Sequence, residues 1–144
     1  KTFVKTTGGK GLHVVVPIAQ AHDWDTVKGF SKSIAEAMAT DEPDRYTATL
    51  SKKARTGRIF IDYLRNGRGN TAVAAYSPRA RPGARVSVPL AWEELDDLAS
   101  SNAFGLDDVV ARLAREEPPW PGFFRLRQRL PRTATPPPAK RRRA

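Results

Sequence analysis

The nonapeptide Arg58–Asn66, RIFIDYLRN, constrains the fold of this chain most. Ile59, Phe60 and Ile61 form a short apolar run, with Gly57 before it and Gly67 just after it. A run this short, bounded by glycines, predicts a strand buried on both faces. Asp62 follows at once. A carboxylate is costly to bury unless something pairs with it. Two readings are therefore open. Asp62 ends the strand and hydrogen-bonds the next turn, or it is a metal ligand on a rigid strand with Arg65 beside it to meet an anionic substrate.

The 144 residues are enough for one domain with its own core. The absence of cysteine excludes disulfides, thiolate catalysis and thiolate metal sites. No apolar run is long enough to span a membrane and no signal peptide is visible, so a cytoplasmic protein is expected. Residue 1 is Lys, which reads as a fragment or a processed piece. The net charge of +10 is unevenly spread. Residues 52–85 carry nine basic side chains against Asp62 alone, whereas residues 86–124 carry two arginines against eight acids. A polyanion responds to a local field, so the block around Asp62 is the informative feature.

Leu12–Val16 is rich in β-branched residues and predicts a second buried strand. The six residues before it, Thr6-Thr7-Gly8-Gly9-Lys10-Gly11, hold three glycines, two hydroxyls and an ammonium. Glycines let backbone N–H groups approach an oxyanion closely, and Thr and Lys add donors, a set that suits a triphosphate. The P-loop spacing is absent and a strand follows instead of a helix. A Gly-rich turn before a strand also serves as a plain hairpin. His13, one residue into the strand, also suits a structural histidine. Trp24–Thr40 predicts an amphipathic helix, with Val27, Phe30, Ile34, Ala35 and Met38 on one stripe. Asp41–Asp44 with Pro43 ends it. Arg45–Leu50 reads as a strand and Ser51–Thr56 as a basic turn. Thr71–Ser77 and Arg85–Val88 read as extended segments joined by a turn at Arg81-Pro82-Gly83. Trp92–Leu98 and Leu106–Arg115 read as short helices, the second with a buried stripe of Leu106, Val109, Val110 and Leu113.

The words KTTGGKGLHVVVPI, Arg45-Tyr46, Lys52-Lys53-Ala54-Arg55, GRIFIDYLRN, TAVAAYSPRARPGARVSVPLAW and Pro119-Trp120, in this order, resemble the polymerase domain of bacterial ligase D. That family is a branch of the archaeo-eukaryotic primase superfamily used in non-homologous end joining, and the resemblance runs from Lys1 to about Trp120. It implies an α/β (α+β) fold, a mostly antiparallel sheet with flanking helices, equivalent to the C-terminal portion of a primase-like domain. It implies nucleotidyl transfer of an NTP or dNTP onto primer–template DNA ends with Mn²⁺ or Mg²⁺, alongside end-joining Ku and ligase partners. By position, Thr7, Lys10 and His13 match residues that contact the triphosphate, and Arg65, Arg79 and Arg81 match polar residues lining the nucleotide pocket. Asp62 matches the third metal-binding, catalytic carboxylate. Lys52, Lys53 and Arg55 fall on a DNA-binding basic loop, Arg55 near the primer end. Where the family usually has Ser, this chain has Thr7, which keeps the hydroxyl.

The family's first metal motif, two Asp separated by one residue, lies upstream of the Gly-rich segment. Asp23-Trp24-Asp25 has that spacing but follows the segment, so Asp23 or Asp25 is expected to cap the helix instead. Three organisations are open on these grounds: a polymerase fragment, a binding module that does not catalyse, or one half of a split enzyme. The expected division is a partial polymerase domain over 1–124 and a Pro/Arg-rich basic tail over 125–144. The tail's last part, Pro131–Ala144, carries four prolines and Lys140-Arg141-Arg142-Arg143 and is expected to be disordered.

Overall fold

A computed structural model describes residues 1–115 and 119–131. The elements in chain order are β1 (Phe3–Thr6), β2 (Leu12–Val15), α1 (Trp24–Asp41), β3 (Tyr46–Thr47), β4 (Ile59–Phe60), β5 (Pro89–Leu90) and α2 (Leu106–Arg115), with single 3₁₀ turns between them. The chain forms two compact units. Among the described residues, one joins Lys1–Gln20 to those of Thr71–Gln128, and the other joins Ala21–Asn70 to 129–131.

The first unit is built on an antiparallel sheet of order β2-β1-β5. The central strand β1 is buried along its whole length. Thr6 pairs with the backbone of the approaching chain, its N–H donating to Val88 O at 2.9 Å and its hydroxyl accepting from Val88 N–H at 2.8 Å. Val4, Val86, Val88, Leu90 and Val109 form the core, with Leu95, Leu98 and Phe104 packed against it. Nearby, Phe3, Trp120 and Phe123 cluster with ring centroids 4.9–5.5 Å apart. Trp120 Nε1 donates toward Val4 O at 3.1 Å and Leu90 O at 3.3 Å, tying the two neighbouring strands together. Gln128 Nε2 donates to Lys1 O and Pro17 O, so the chain remains anchored at this point beyond residue 124. Of the tail expected over 125–144, residues 132–144 lie outside the described residues.

Several expectations for this unit need correction. β2 is not buried: Leu12, Val14 and Val16 alternate onto one face of the strand and are 42%, 61% and 44% exposed, because the core packs elsewhere and leaves that face uncovered. The stripe expected on α2 is likewise mostly exposed. Only Val109 enters the core, while Leu106, Val110 and Leu113 face outward. The helix expected at Trp92–Leu98 is a 3₁₀ turn over Trp92–Leu95. Thr71–Ser77 and Arg85–Val88 do pair in part, through Tyr76 N–H to Ser87 O and Ser87 N–H to Ser77 O. Tyr76 takes part in this pairing but departs from regular strand geometry, because its φ of 62° lies in the left-handed region.

In the second unit, α1 starts where its sequence says it should. Asp23 is the N-cap, its carboxylate accepting from Thr26 N–H at 2.7 Å, which holds its carboxyl below the usual range. Ala35 is the fully buried point of the helix. The predicted strands are shorter than expected. β3 keeps two residues of Arg45–Leu50 and pairs in parallel with two residues of the Ile59–Ile61 run. A two-stranded pair cannot cover both faces, and Ile59 is 58% exposed.

Candidate functional site

The loop between β1 and β2 closes on itself through Thr7. Its hydroxyl donates to Gly11 O at 2.7 Å and accepts from Gly9 N–H at 3.2 Å and Gly11 N–H at 3.3 Å. Ser101 holds the loop from outside, its hydroxyl donating to Gly9 O and its carbonyl accepting from Gly8 N–H. The hairpin reading therefore describes the loop correctly, and two of its backbone donors are taken by Thr7. Lys10 stands exposed at the tip.

Gly8 is buried with φ +62°, and a methyl group there would lie 2.7 Å from Arg85 O and 2.9 Å from the Arg79 side chain. A Cβ on Gly9 would lie 3.9 Å from the Arg81 guanidinium. Glycine at these positions lets the loop lie against the Arg79–Arg85 turn. That turn is closed by Arg79 N–H to Arg85 O at 2.8 Å and Ala84 N–H to Arg81 O at 2.9 Å. Thr7, Lys10, Arg79 and Arg81 thus belong to two apposed loops with no carboxylate bonded to either arginine among the described residues. We expect Gly8→Ala to lower the melting temperature by several degrees, since a positive φ and a blocked Cβ together cost about 1–3 kcal/mol. A variant melting with the parent would show that the two loops separate freely.

The sequence reading missed Lys5. It lies on β1 opposite His13 on β2, so the two share one face of the hairpin. Lys5 is 5% exposed, and its ammonium donates to Val73 O and Ser87 Oγ, each at 2.8 Å. Burial, helped by the positive charge of Arg79, pushes its pKa down to about 8. The available signal was a lone lysine inside the run Phe3-Val4-Lys5-Thr6.

In the second unit, Asp62 is exposed. Its Oδ1 accepts from Leu64 N–H at 3.0 Å, capping the turn Leu64–Asn66, and its Oδ2 lies 3.9 Å from Arg65 Nε. No three His, Asp or Glu side chains converge among the described residues, so these do not by themselves make a site for Mn²⁺ or Mg²⁺. Lys52 and Lys53 are exposed on the basic turn. Arg55 is folded back: its guanidinium donates to Leu50 O at 2.7 Å and stacks 3.7 Å from the Phe60 ring. No described helix is long and apolar enough to cross a membrane.

The family model "LigD, primase-polymerase domain" matches residues 1–120. The chain is 45% identical over 132 residues to the multifunctional non-homologous end joining protein LigD of Pseudomonas aeruginosa, covering 90% of this chain and 16% of that protein. It is 28% identical over 134 residues to the bifunctional non-homologous end joining protein LigD of Bacillus subtilis, covering 92% and 22%. Among solved structures it is similar to the polymerase domain of Mycobacterium tuberculosis ligase D in complex with DNA. There the TM-score is 0.74 and the identity 33%, over 80% of this chain and 40% of that one. The sequence thus spans a minor part of each relative, and within that span it belongs to the ligase D primase-polymerase domain family.

Proposed function

We propose that this chain carries the nucleotide-holding part of a polymerase domain that adds an NTP or dNTP to DNA ends during double-strand break repair by non-homologous end joining. The observation that carries this reading is the apposition of the Gly8-Gly9 loop to Arg79 and Arg81. Two guanidiniums beside an exposed ammonium form a local concentration of donors for a triphosphate, and Arg is suited to bidentate phosphate contact. In the proposed reaction a primer 3′-hydroxyl attacks the α-phosphate and pyrophosphate leaves. Lys10, Arg79 and Arg81 grip the β- and γ-phosphates, with His13 as a further contact, and so fix the α-phosphate for in-line attack. Thr7 keeps the loop shaped for this from within. Lys52 and Lys53 meet the DNA backbone, and Arg55 sets the turn that presents them. In the second unit, Asp62 is the proposed metal-binding, catalytic carboxylate and Arg65 a proposed nucleotide contact.

Ligase D polymerase domains depend on a metal ion. Among the described residues, Asp62 is the carboxylate that would hold such an ion. Ku and a ligase are the partners this role requires. The exposed, turn-capping state of Asp62 also favours a second reading, a module that binds nucleotide and nucleic acid without catalysing.

The phosphate grip is tested in a polypeptide that contains this sequence and spans the length of the solved relative. Lys10→Ala and Arg79→Ala are each expected to weaken triphosphate binding about ten- to a hundredfold in calorimetric titration, since a charge-assisted contact contributes roughly 1.5–3 kcal/mol. Parental binding by both variants would reduce the Gly-rich segment to a turn.

A further inference from the structure

Beyond the matched residues 1–120, the chain continues through Pro121-Gly122-Phe123-Phe124-Arg125-Leu126-Arg127. Phe124 is 86% exposed, the most open of the large apolar side chains on the described surface. An isolated exposed apolar residue needs no explanation, but this ring is held firmly. It packs edge-on against Phe123, centroids 5.1 Å apart at 90°, and Phe123 is itself clamped by Phe3 and Trp120. The 3₁₀ turn Phe123–Arg125 is set by Gly122 at φ 77° and closed by Arg125 N–H to Gly122 O at 2.9 Å. Phe124 therefore presents its ring to solvent from a turn anchored in the aromatic cluster.

The charge beside it is of one sign. Arg125 and Arg127 flank the ring, and no acidic residue occurs between 119 and 131. Arg127 donates to the carbonyls of Phe124 and Leu126 at 2.8 and 2.9 Å, which folds its guanidinium onto the backbone at Phe124 without neutralising it. Arg125 is exposed, and no carboxylate meets it among the described residues. An exposed aromatic face bordered by arginines that meet no carboxylate among the described residues suits an unpaired base with its phosphates, because every base has a face to stack and every nucleotide carries a negative charge.

We propose that Phe124, with Arg125 and Arg127, is a stacking platform for single-stranded nucleic acid. It lies beyond residues 1–120 that the family model matches, in a stretch that still aligns with the Pseudomonas aeruginosa relative, and it uses none of the residues of the triphosphate grip. A duplex offers no free base face along its length, so the platform favours unpaired nucleotides over paired ones.

The test measures binding of the 144-residue chain to a fluorescent twenty-nucleotide oligo(dT) and to a blunt duplex of equal length. Phe124→Ala is expected to weaken oligo(dT) binding about five- to a hundredfold and leave duplex binding within about twofold. Its melting should match the parent, since the ring buries little. Phe124→Trp should restore oligo(dT) binding and show fluorescence quenching on binding. Arg125→Ala should weaken both ligands and reduce the salt slope by about one. Parental oligo(dT) binding by Phe124→Ala overturns the proposal, and so does an equal loss of oligo(dT) and duplex. A change in sedimentation without a change in oligo(dT) binding would make the patch a protein contact and likewise overturn it.

Discussion

Asp62→Asn is expected to leave the melting of the protein unchanged while lowering nucleotide addition by about a hundred- to a thousandfold. The stability half follows from geometry. The Asp62–Arg65 pair is separated by 3.9 Å with both side chains well exposed, and such a pair contributes about 0–1 kcal/mol. An Asn in that place still accepts from Leu64 N–H, so the turn survives. The loss of about 3–5 kcal/mol that follows breakage of a buried pair does not apply, because the pair is not buried. The activity half follows from the proposed role, in which the negative charge matters and the hydrogen bond does not. One group that stabilises charge in the reaction centre contributes roughly 3–4 kcal/mol to the barrier. Primer extension and thermal melting of one variant, in a polypeptide of the solved relative's length, decide the matter. Full activity per folded molecule would remove Asp62 from the reaction.

Lys5→Met is expected to flatten a rise in stability that the parent shows in alkaline solution. Folded Lys5 has its pKa lowered from 10.5 to about 8, chiefly by burial. Between those values the unfolded chain binds a proton that the folded chain has released, so stability increases as pH rises through the window. At about 1.4 kcal/mol per unit of pKa, the gain between neutral pH and pH 11 is at most about 3 kcal/mol. At neutral pH the variant also strands Val73 O, which costs about 1–3 kcal/mol, while Ser87 Oγ keeps its bond to Thr6 O. The difference between parent and variant, measured by urea denaturation from pH 7 to 11, cancels the tyrosines that titrate in both. Equal slopes would show that Lys5 is not the group responsible.

Much of the local structure was legible from the residues alone. Asp23 caps α1, Pro43 lies just past its end, and the turn at Arg81-Pro82-Gly83 joins two partly paired segments, because each rests on chemistry confined to a few neighbouring residues. Burial was not legible. Val14, Ile59 and Val110 sit in apolar patterns but are exposed, since burial depends on what packs against a strand or helix and not on its own composition. Lys5 was hidden for the same reason. Its partners Val73 and Ser87 are 68 and 82 residues away in sequence. The internal role of the Thr7 hydroxyl, too, depends on how the loop folds back on itself.

The position of β1 at the centre of its sheet has a consequence for synthesis. Its Thr6 bonds to Val88, 82 residues later, and the whole of Ala21–Asn70 is translated in between. At roughly 5–20 residues per second, β1 and β2 wait about 4–16 seconds on the ribosome for the strand that completes the sheet. A two-stranded hairpin is marginal in water. The apolar face of β1 is therefore exposed through that interval, and ribosome-stalled chains ending before Leu90 should be degraded by added protease as readily as an unfolded segment.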